Sequence, residues 1–140
     1  MSGRVSAMEH VLVLADDIER AREFYCDVVG LEVGDRPPLE FPGYWMYAGA
    51  TPCLHLAARE PYLEHARKLG LPVAGGPGPG PVDHIAFRGT DYEQTRALLD
   101  RKGVAAVLNT VPGGGPRQVF VQDPSGVRIE INFMQDTTGR

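Results

Sequence analysis

Four side chains in this sequence have types and spacing that can do chemistry together: His10, His55, His84 and Glu130. His10 and His84 each precede a short apolar run, Val11-Leu12-Val13 and Ile85-Ala86-Phe87. His55 and Glu130 each fall late in the segment that the preceding histidine opens. Glu130 alternates with large apolar residues in Val127-Arg128-Ile129-Glu130-Ile131-Asn132-Phe133, so Arg128, Glu130 and Asn132 share one face of a strand. A lone histidine in a strand is more often a packed residue than a ligand. Matched placement in two halves of a chain changes that balance. If the halves pack about a pseudo-twofold axis, the four side chains can converge. Two imidazoles and a carboxylate suit one divalent ion of Fe, Mn, Co, Ni or Zn. Mg and Ca prefer oxygen shells. The candidate metal ligands are therefore His10, His84 and Glu130, and the candidate catalytic residues are His55 and Glu130. His55 has two open roles, as a fourth ligand or as a base beside the cation, where a neutral imidazole can accept a proton near neutral pH.

The elements that must position these groups form a repeat. With His10 set on His84, Asp17 falls on Asp91, Glu19 on Glu93 and Arg22 on Arg96, and Gly30 meets Gly103 after a one-residue gap. Each copy opens with a strand. Asp16-Asp17-Ile18-Glu19 and Thr90-Asp91-Tyr92-Glu93 then match the capping-box pattern, which predicts helices with Asp16 and Thr90 as N-caps. Apolar residues follow at helical spacing: Ile18, Ala21, Tyr25 and Val28, then Tyr92, Thr95, Leu98 and Leu99. Gly30 and Gly103 stand where a helix ends in a left-handed residue. Strands are predicted over Tyr44–Ala48 and Cys53–Ala57, and over Gln118–Gln122 and Val127–Phe133. The turn Asp123-Pro124-Ser125-Gly126 separates the last two. The order is β-α-β-β-β, twice. Module one spans about 8–58 and module two about 82–134 within a single domain, 1–140. Between them a short helix, Pro61–Leu69, precedes the Gly/Pro linker Gly75–Pro81. His65 on that helix reads as a solvated residue, and the tail after Met134 as frayed.

Bulk properties set bounds. The chain has 140 residues, 43% hydrophobic and 23% charged, with a net charge of −4. That length suits one domain. No dense basic patch exists to attract nucleic acid, and no apolar run approaches the ~20 residues of a membrane span. No leader-like stretch opens the sequence, so the cytoplasm is the expected compartment. The two cysteines, Cys26 and Cys53, are too few for a disulfide framework or a cysteine-based zinc site.

These motifs resemble those of the vicinal-oxygen-chelate superfamily, which includes glyoxalases, ring-cleaving dioxygenases and bleomycin-resistance proteins. The opening module is similar at His10, Asp17, Phe24-Tyr25, Val29-Gly30 and Leu31. The second opening is similar at Val82-Asp83-His84-Ile85-Ala86-Phe87, and the closing strand pair from Phe120 through the Asp-Pro-x-Gly turn to Glu130. The resemblance implies an α+β fold of paired βαβββ modules forming an open barrel around a metal site. It also implies a C2 homodimer, and a small-molecule substrate bound through two neighbouring oxygens.

Departures from the subfamilies narrow the chemistry. Extradiol dioxygenases usually carry a tyrosine where this chain has Phe120, and fosfomycin transferases typically do as well. The transferases also have a threonine where Leu12 stands. Glyoxalase I has a glutamate in place of His55 and a glutathione-binding arginine in place of Leu14. The expected activity is therefore proton transfer, by a lyase or isomerase, at a metal-chelated carbonyl of a small oxygenated metabolite. An Fe(II) dioxygenase and a metal-free drug-binding protein are the alternatives. Trp45 and Tyr47 on an aromatic strand, Arg117 after Gly113-Gly114-Gly115-Pro116, and Phe120 are the candidate substrate contacts.

Overall fold

The computed structural model describes residues 7–71, 80 and 82–135. The chain divides into two compact units, Met1–Gly75 and Gly76–Arg140. The first contains β1 (Val11–Ala15), α1 (Ile18–Phe24) with a π-helical continuation (Tyr25–Val29), β2 (Glu32–Gly34), β3 (Gly43–Ala48), β4 (Thr51–Ala58) and α2 (Arg59–Lys68). The second contains β5 (His84–Arg88), α3 (Tyr92–Lys102), β6 (Val107–Thr110), β7 (Arg117–Gln122) and β8 (Arg128–Phe133). The fold is α+β, built of two βαβββ modules. Their sheets have the same order, β1-β4-β3-β2 and β5-β8-β7-β6. In each, the first strand runs parallel to the last and the remaining pairs are antiparallel. Of the linker Gly75–Pro81, only Gly80 lies within the described residues, and residues 136–140 of the tail lie outside them. Among the described residues no helix is long and apolar enough to cross a membrane.

Alternation along the strands separates a helix-covered face from a polar one. In the first unit Val13, Ala15, Met46, Leu54 and Leu56 are buried, as are Ala21, Tyr25 and Val28 of the helical segment. In the second, Val119, Val121, Ile129, Ile131 and Phe133 are buried with Leu99 of α3. The Tyr92 ring meets Phe133 edge-on at 5.5 Å. The opposite faces carry His55, Trp45 and Tyr47 in one unit, and Glu130, Phe120 and Gln118 in the other.

Both helices are capped one residue later than the capping-box spacing predicts. Asp17, not Asp16, accepts from the Arg20 backbone N–H at 3.1 Å. Asp91, not Thr90, accepts from the Gln94 N–H at 3.0 Å. Asp16 is drawn away by Arg59, whose Nε donates to it at 2.8 Å across the unit. Glu19 is likewise engaged, with Arg22 at 2.8 Å and with the Tyr44 hydroxyl, so it does not reach back to the cap. Asp17→Ala should therefore cost about 1 kcal/mol of stability, and Asp16→Ala less, because only the first removes a cap. Equilibrium urea unfolding of both variants checks this, and equal losses would contradict the assignment.

Other local expectations are met with adjustments. Gly30 (φ 92°) and Gly103 (φ 66°) end their helical segments in the left-handed region. The first helix widens before Gly30, with the Gly30 and Leu31 N–H groups both returning to the Tyr25 carbonyl at 3.0 and 2.8 Å. The turn after β7 is held by Asp123, which accepts from the Ser125 and Val127 N–H groups at 2.8 and 2.7 Å. α2 begins at Arg59, two residues before Pro61, because a first-turn proline lacks only an N–H that has no helical partner. His65 is not simply solvated. Its Nδ1 lies 3.0 Å from Glu40 and its ring packs 5.2 Å from that of Phe41, since the loop before β3 folds over α2. Cys26 and Cys53 are free thiols.

Candidate functional site

In the second unit the parallel pairing of β5 and β8 brings His84 and Glu130 onto adjacent strands, with Ala86 directly opposite Glu130. His84 Nδ1 lies 2.9 Å from Asp83 Oδ2 and donates to it. Arg128 Nη1 lies 2.9 Å from the same oxygen. These partners, His84 first and Arg128 second, hold the exposed Asp83 carboxyl below its ordinary pKa. With Nδ1 turned to Asp83, His84 presents its Nε2 to Glu130. Glu130 Oε1 stands 3.2 Å from it. In the tautomer with its proton on Nδ1, His84 offers a second acceptor to that carboxylate; with a further proton on Nε2 it donates to it.

Glu130 Oε2 is fixed from the other side. Asn132 Nδ2 donates to it at 2.7 Å and Gln118 Nε2 at 3.3 Å. Gln118 also donates to Asn132 Oδ1 at 3.1 Å and accepts from Asn109 at 2.8 Å. Phe120 lies opposite Glu130 in register, so the residue beside the carboxylate has no hydroxyl. Gln118, Asn132 and Asp83 were not among the sequence candidates. For Asn132 a signal existed, because it shares Glu130's parity on β8. Gln118 needed the cross-strand register.

The first unit presents a different arrangement. His10 precedes β1, and its Nδ1 lies 2.8 Å from Glu9, which leaves Nε2 without a partner among the described residues. The carboxylate-before-histidine arrangement of Asp83-His84 is thus repeated in Glu9-His10. In metal sites a carboxylate on the far nitrogen orients an imidazole and raises its basicity. His55 sits on β4 opposite Leu12 and Trp45. Its ring stacks on His10 at 3.7 Å with planes 14° apart, and on Trp45 at 4.1 Å with planes 9° apart. Lone pairs of an imidazole lie in its ring plane. Nearly parallel stacked rings therefore do not aim at one ion, and this stack favours the base over the ligand among the two roles open to His55. His55 Nε2 donates to the Pro52 carbonyl at 3.1 Å, so its lone pair lies on Nδ1. Burial, then the neighbouring His10, push its pKa down, and the ring is neutral at pH 7.

The substrate-contact candidates divide. Trp45 and Tyr47 share the His55 face. Tyr47 is pinned over β2, where a Cβ on Gly34 would lie 2.5 Å from its ring, and its hydroxyl donates to the Asp35 carbonyl at 2.7 Å. Arg117 lies opposite Phe133, on the face that carries α3. Its guanidinium sits 4.1 Å from the Tyr92 ring centroid and 3.4 Å from Glu93. It is engaged with the helix rather than with the face that bears Glu130.

A divalent cation fits this donor set in part. Ligand atoms about 2.1 Å from one ion and roughly 90–110° apart lie about 3.0–3.4 Å from each other, and His84 Nε2 and Glu130 Oε1 stand 3.2 Å apart. Among the described residues no group of three or more His, Cys, Asp or Glu forms a metal-holding cluster. Among the described residues the candidate ligands supply a pair, His84 with Glu130, and the free Nε2 of His10.

The α+β fold of two βαβββ units is also that of known proteins. The profile of the Glyoxalase/Bleomycin resistance protein/Dioxygenase superfamily matches residues 7–131, and the chain belongs to that superfamily. Among solved structures it is similar to lactoylglutathione lyase from Agrobacterium tumefaciens, with 23% identity over 94% of this chain and 96% of that one and a TM-score of 0.68. It is also similar to TnmS3, an antibiotic binding protein from Streptomyces sp. CB03234, with 23% identity over 96% and 100% of the two chains and a TM-score of 0.66. FosX, a fosfomycin resistance protein from Listeria monocytogenes, matches at 12% identity over 94% and 96% with a TM-score of 0.66. No curated protein sequence matches the chain. The superfamily contains both enzymes and binding proteins, and likenesses at these identities speak for the fold alone.

Proposed function

We propose that the protein is a metal-dependent lyase or isomerase that moves a proton on a small oxygenated metabolite, with His10, His84 and Glu130 holding one divalent ion. The observation that carries the reading is the separation of His84 Nε2 and Glu130 Oε1, 3.2 Å, the spacing of two ligands on one ion. With His84 in its Nδ1–H tautomer both atoms are acceptors, and a shared cation or proton reconciles them. Bound there, the cation supplies Lewis acidity to a substrate oxygen. The chain's own groups do the rest. Asp83 and Glu9 hold the two imidazoles in the tautomer that frees Nε2. Gln118 and Asn132 fix the Glu130 carboxylate. His55, neutral and with its lone pair on Nδ1, accepts the proton. Phe120 offers no hydroxyl for the hydrogen bond that ring cleavage usually draws on, which disfavours the dioxygenase reading.

The test is to strip the protein with chelator and reload it with Fe(II), Mn, Co, Ni or Zn. Small α-hydroxy and α-keto acids and thioesters, and catechols, are then screened in deuterated buffer. The expected result is one ion per chain and deuterium exchange at the substrate α-carbon, with the exchange lost in His55→Ala. Oxygen uptake with ring cleavage in the iron form alone would replace this reading by the dioxygenase one. Zero metal with tight binding of an aromatic drug would replace it by the binding-protein one. A C2 homodimer is the accompanying expectation, checked by light scattering.

A further inference from the structure

Four arginines among the described residues are partly buried: Arg22, Arg36, Arg59 and Arg117. Three are neutralised. Arg22 pairs with Glu19 at 2.8 Å, Arg59 with Asp16 at 2.8 Å and Arg117 with Glu93 at 3.4 Å. Arg36 has no carboxylate partner among the described residues. It lies in the loop between β2 and β3, where Nη2 donates to the Phe41 carbonyl at 2.6 Å. Its guanidinium lies 5.3 Å from the Phe41 ring centroid. Its Nε is buried without an acceptor, and Nη1 has no partner among the described residues.

A partly desolvated cation with no counter-charge is costly to keep. Burial alone accounts for the downward push on its pKa. A neutral donor would serve the Phe41 carbonyl equally well, so the charge answers to something else. The surroundings point to where. Nη2 stands 3.1 Å from the position a Cβ on Gly43 would take, two residues before Trp45.

We propose that Arg36 anchors a carboxylate of the ligand on the first unit's polar face, beside the stacked rings of Trp45 and His55. The ligand class is a small organic monocarboxylate. A single guanidinium with one free Nη matches one carboxylate, whereas a phosphate dianion calls for more donors. The inference rests on reading this face as the ligand face and goes further in naming the ligand's class. It does not depend on the cation.

Trp45 is the only tryptophan in the chain, so its emission reports on this strand directly. The full-length protein, kept in EDTA so that no carboxylate binds through a metal, is titrated with benzoate, with its uncharged analogue benzamide, and with inorganic phosphate. Benzoate should change the emission saturably, benzamide should bind at least about tenfold more weakly, and phosphate should not compete. Arg36→Gln should abolish the preference for benzoate over benzamide, while Arg36→Lys keeps part of it. Circular dichroism confirms that each variant is folded. If Arg36→Gln does not fold, the wild-type preference and the lysine variant decide. Equal affinity for benzoate and benzamide, unchanged benzoate binding in folded Arg36→Gln, or phosphate competing as strongly as benzoate would each overturn the proposal. Failure of the metal reading looks different, with no ion bound on reloading while the benzoate preference persists.

Discussion

Glu130→Gln should lower divalent-cation affinity at least about 100-fold, since even losing a residue behind a ligand typically costs 10–100-fold. The substitution keeps the shape of the side chain and removes its charge. It also removes the need for a cation. An amide nitrogen in place of Oε1 can donate to His84 Nε2, which lies 3.2 Å from that oxygen in the wild type. The amide oxygen can still accept from Asn132 and Gln118, whose donors now lie 2.7 and 3.3 Å from Oε2. The metal-free variant is therefore expected to melt at or above the temperature of the metal-free wild type. Asp83→Asn keeps a hydrogen-bond acceptor for His84 Nδ1 but loses the charge behind it, and should weaken the metal about tenfold. Titration calorimetry against a competing chelator, with elemental analysis, reads both effects. Wild-type affinity in Glu130→Gln would remove this carboxylate from the metal site.

The largest loss of stability among single substitutions is expected at the centre of the second sheet. Ile129 is 0% exposed and pairs with Val121 on one side and Ile85 on the other. Ile129→Ala should cost about 2–5 kcal/mol, the lost transfer energy plus the cavity left behind. Its neighbour in sequence points the other way. The Arg128 side chain is 56% exposed, and Arg128→Ala should stay within about 0.5 kcal/mol. Chemical denaturation of both variants, fitted with a common m-value, checks the contrast. Similar losses would mean that the alternation along β8 does not separate core from polar face.

That alternation shows what was legible beforehand. The repeat of β-α-β-β-β, the two glycines ending helical segments and the Asp-Pro-x-Gly turn all follow from local rules of backbone sterics and capping. The structure reproduces them in two sheets of equal order. His10 and His84 could be aligned because each begins the same local pattern. Even the placement of Arg117 could have been questioned from the chain alone. It stands three residues from Phe120, and an odd separation along a strand puts two side chains on opposite faces.

What only the tertiary structure decided depends on partners distant in sequence. Asp16 left its capping role because Arg59 reached it from the far end of β4. Gln118 became Glu130's neighbour through the register of β7 on β8. His55 is stacked between His10 and Trp45 because β4 lies between β1 and β3. Arg36 stands out as a charge without a carboxylate partner among the described residues only once the carboxylates around it have positions. Local conformational preference operates over a few residues and can be read from a string. Hydrogen-bond tautomers, ion pairing and ring stacking depend on separations of a few ångströms, and strand pairing sets those separations between residues far apart in the chain.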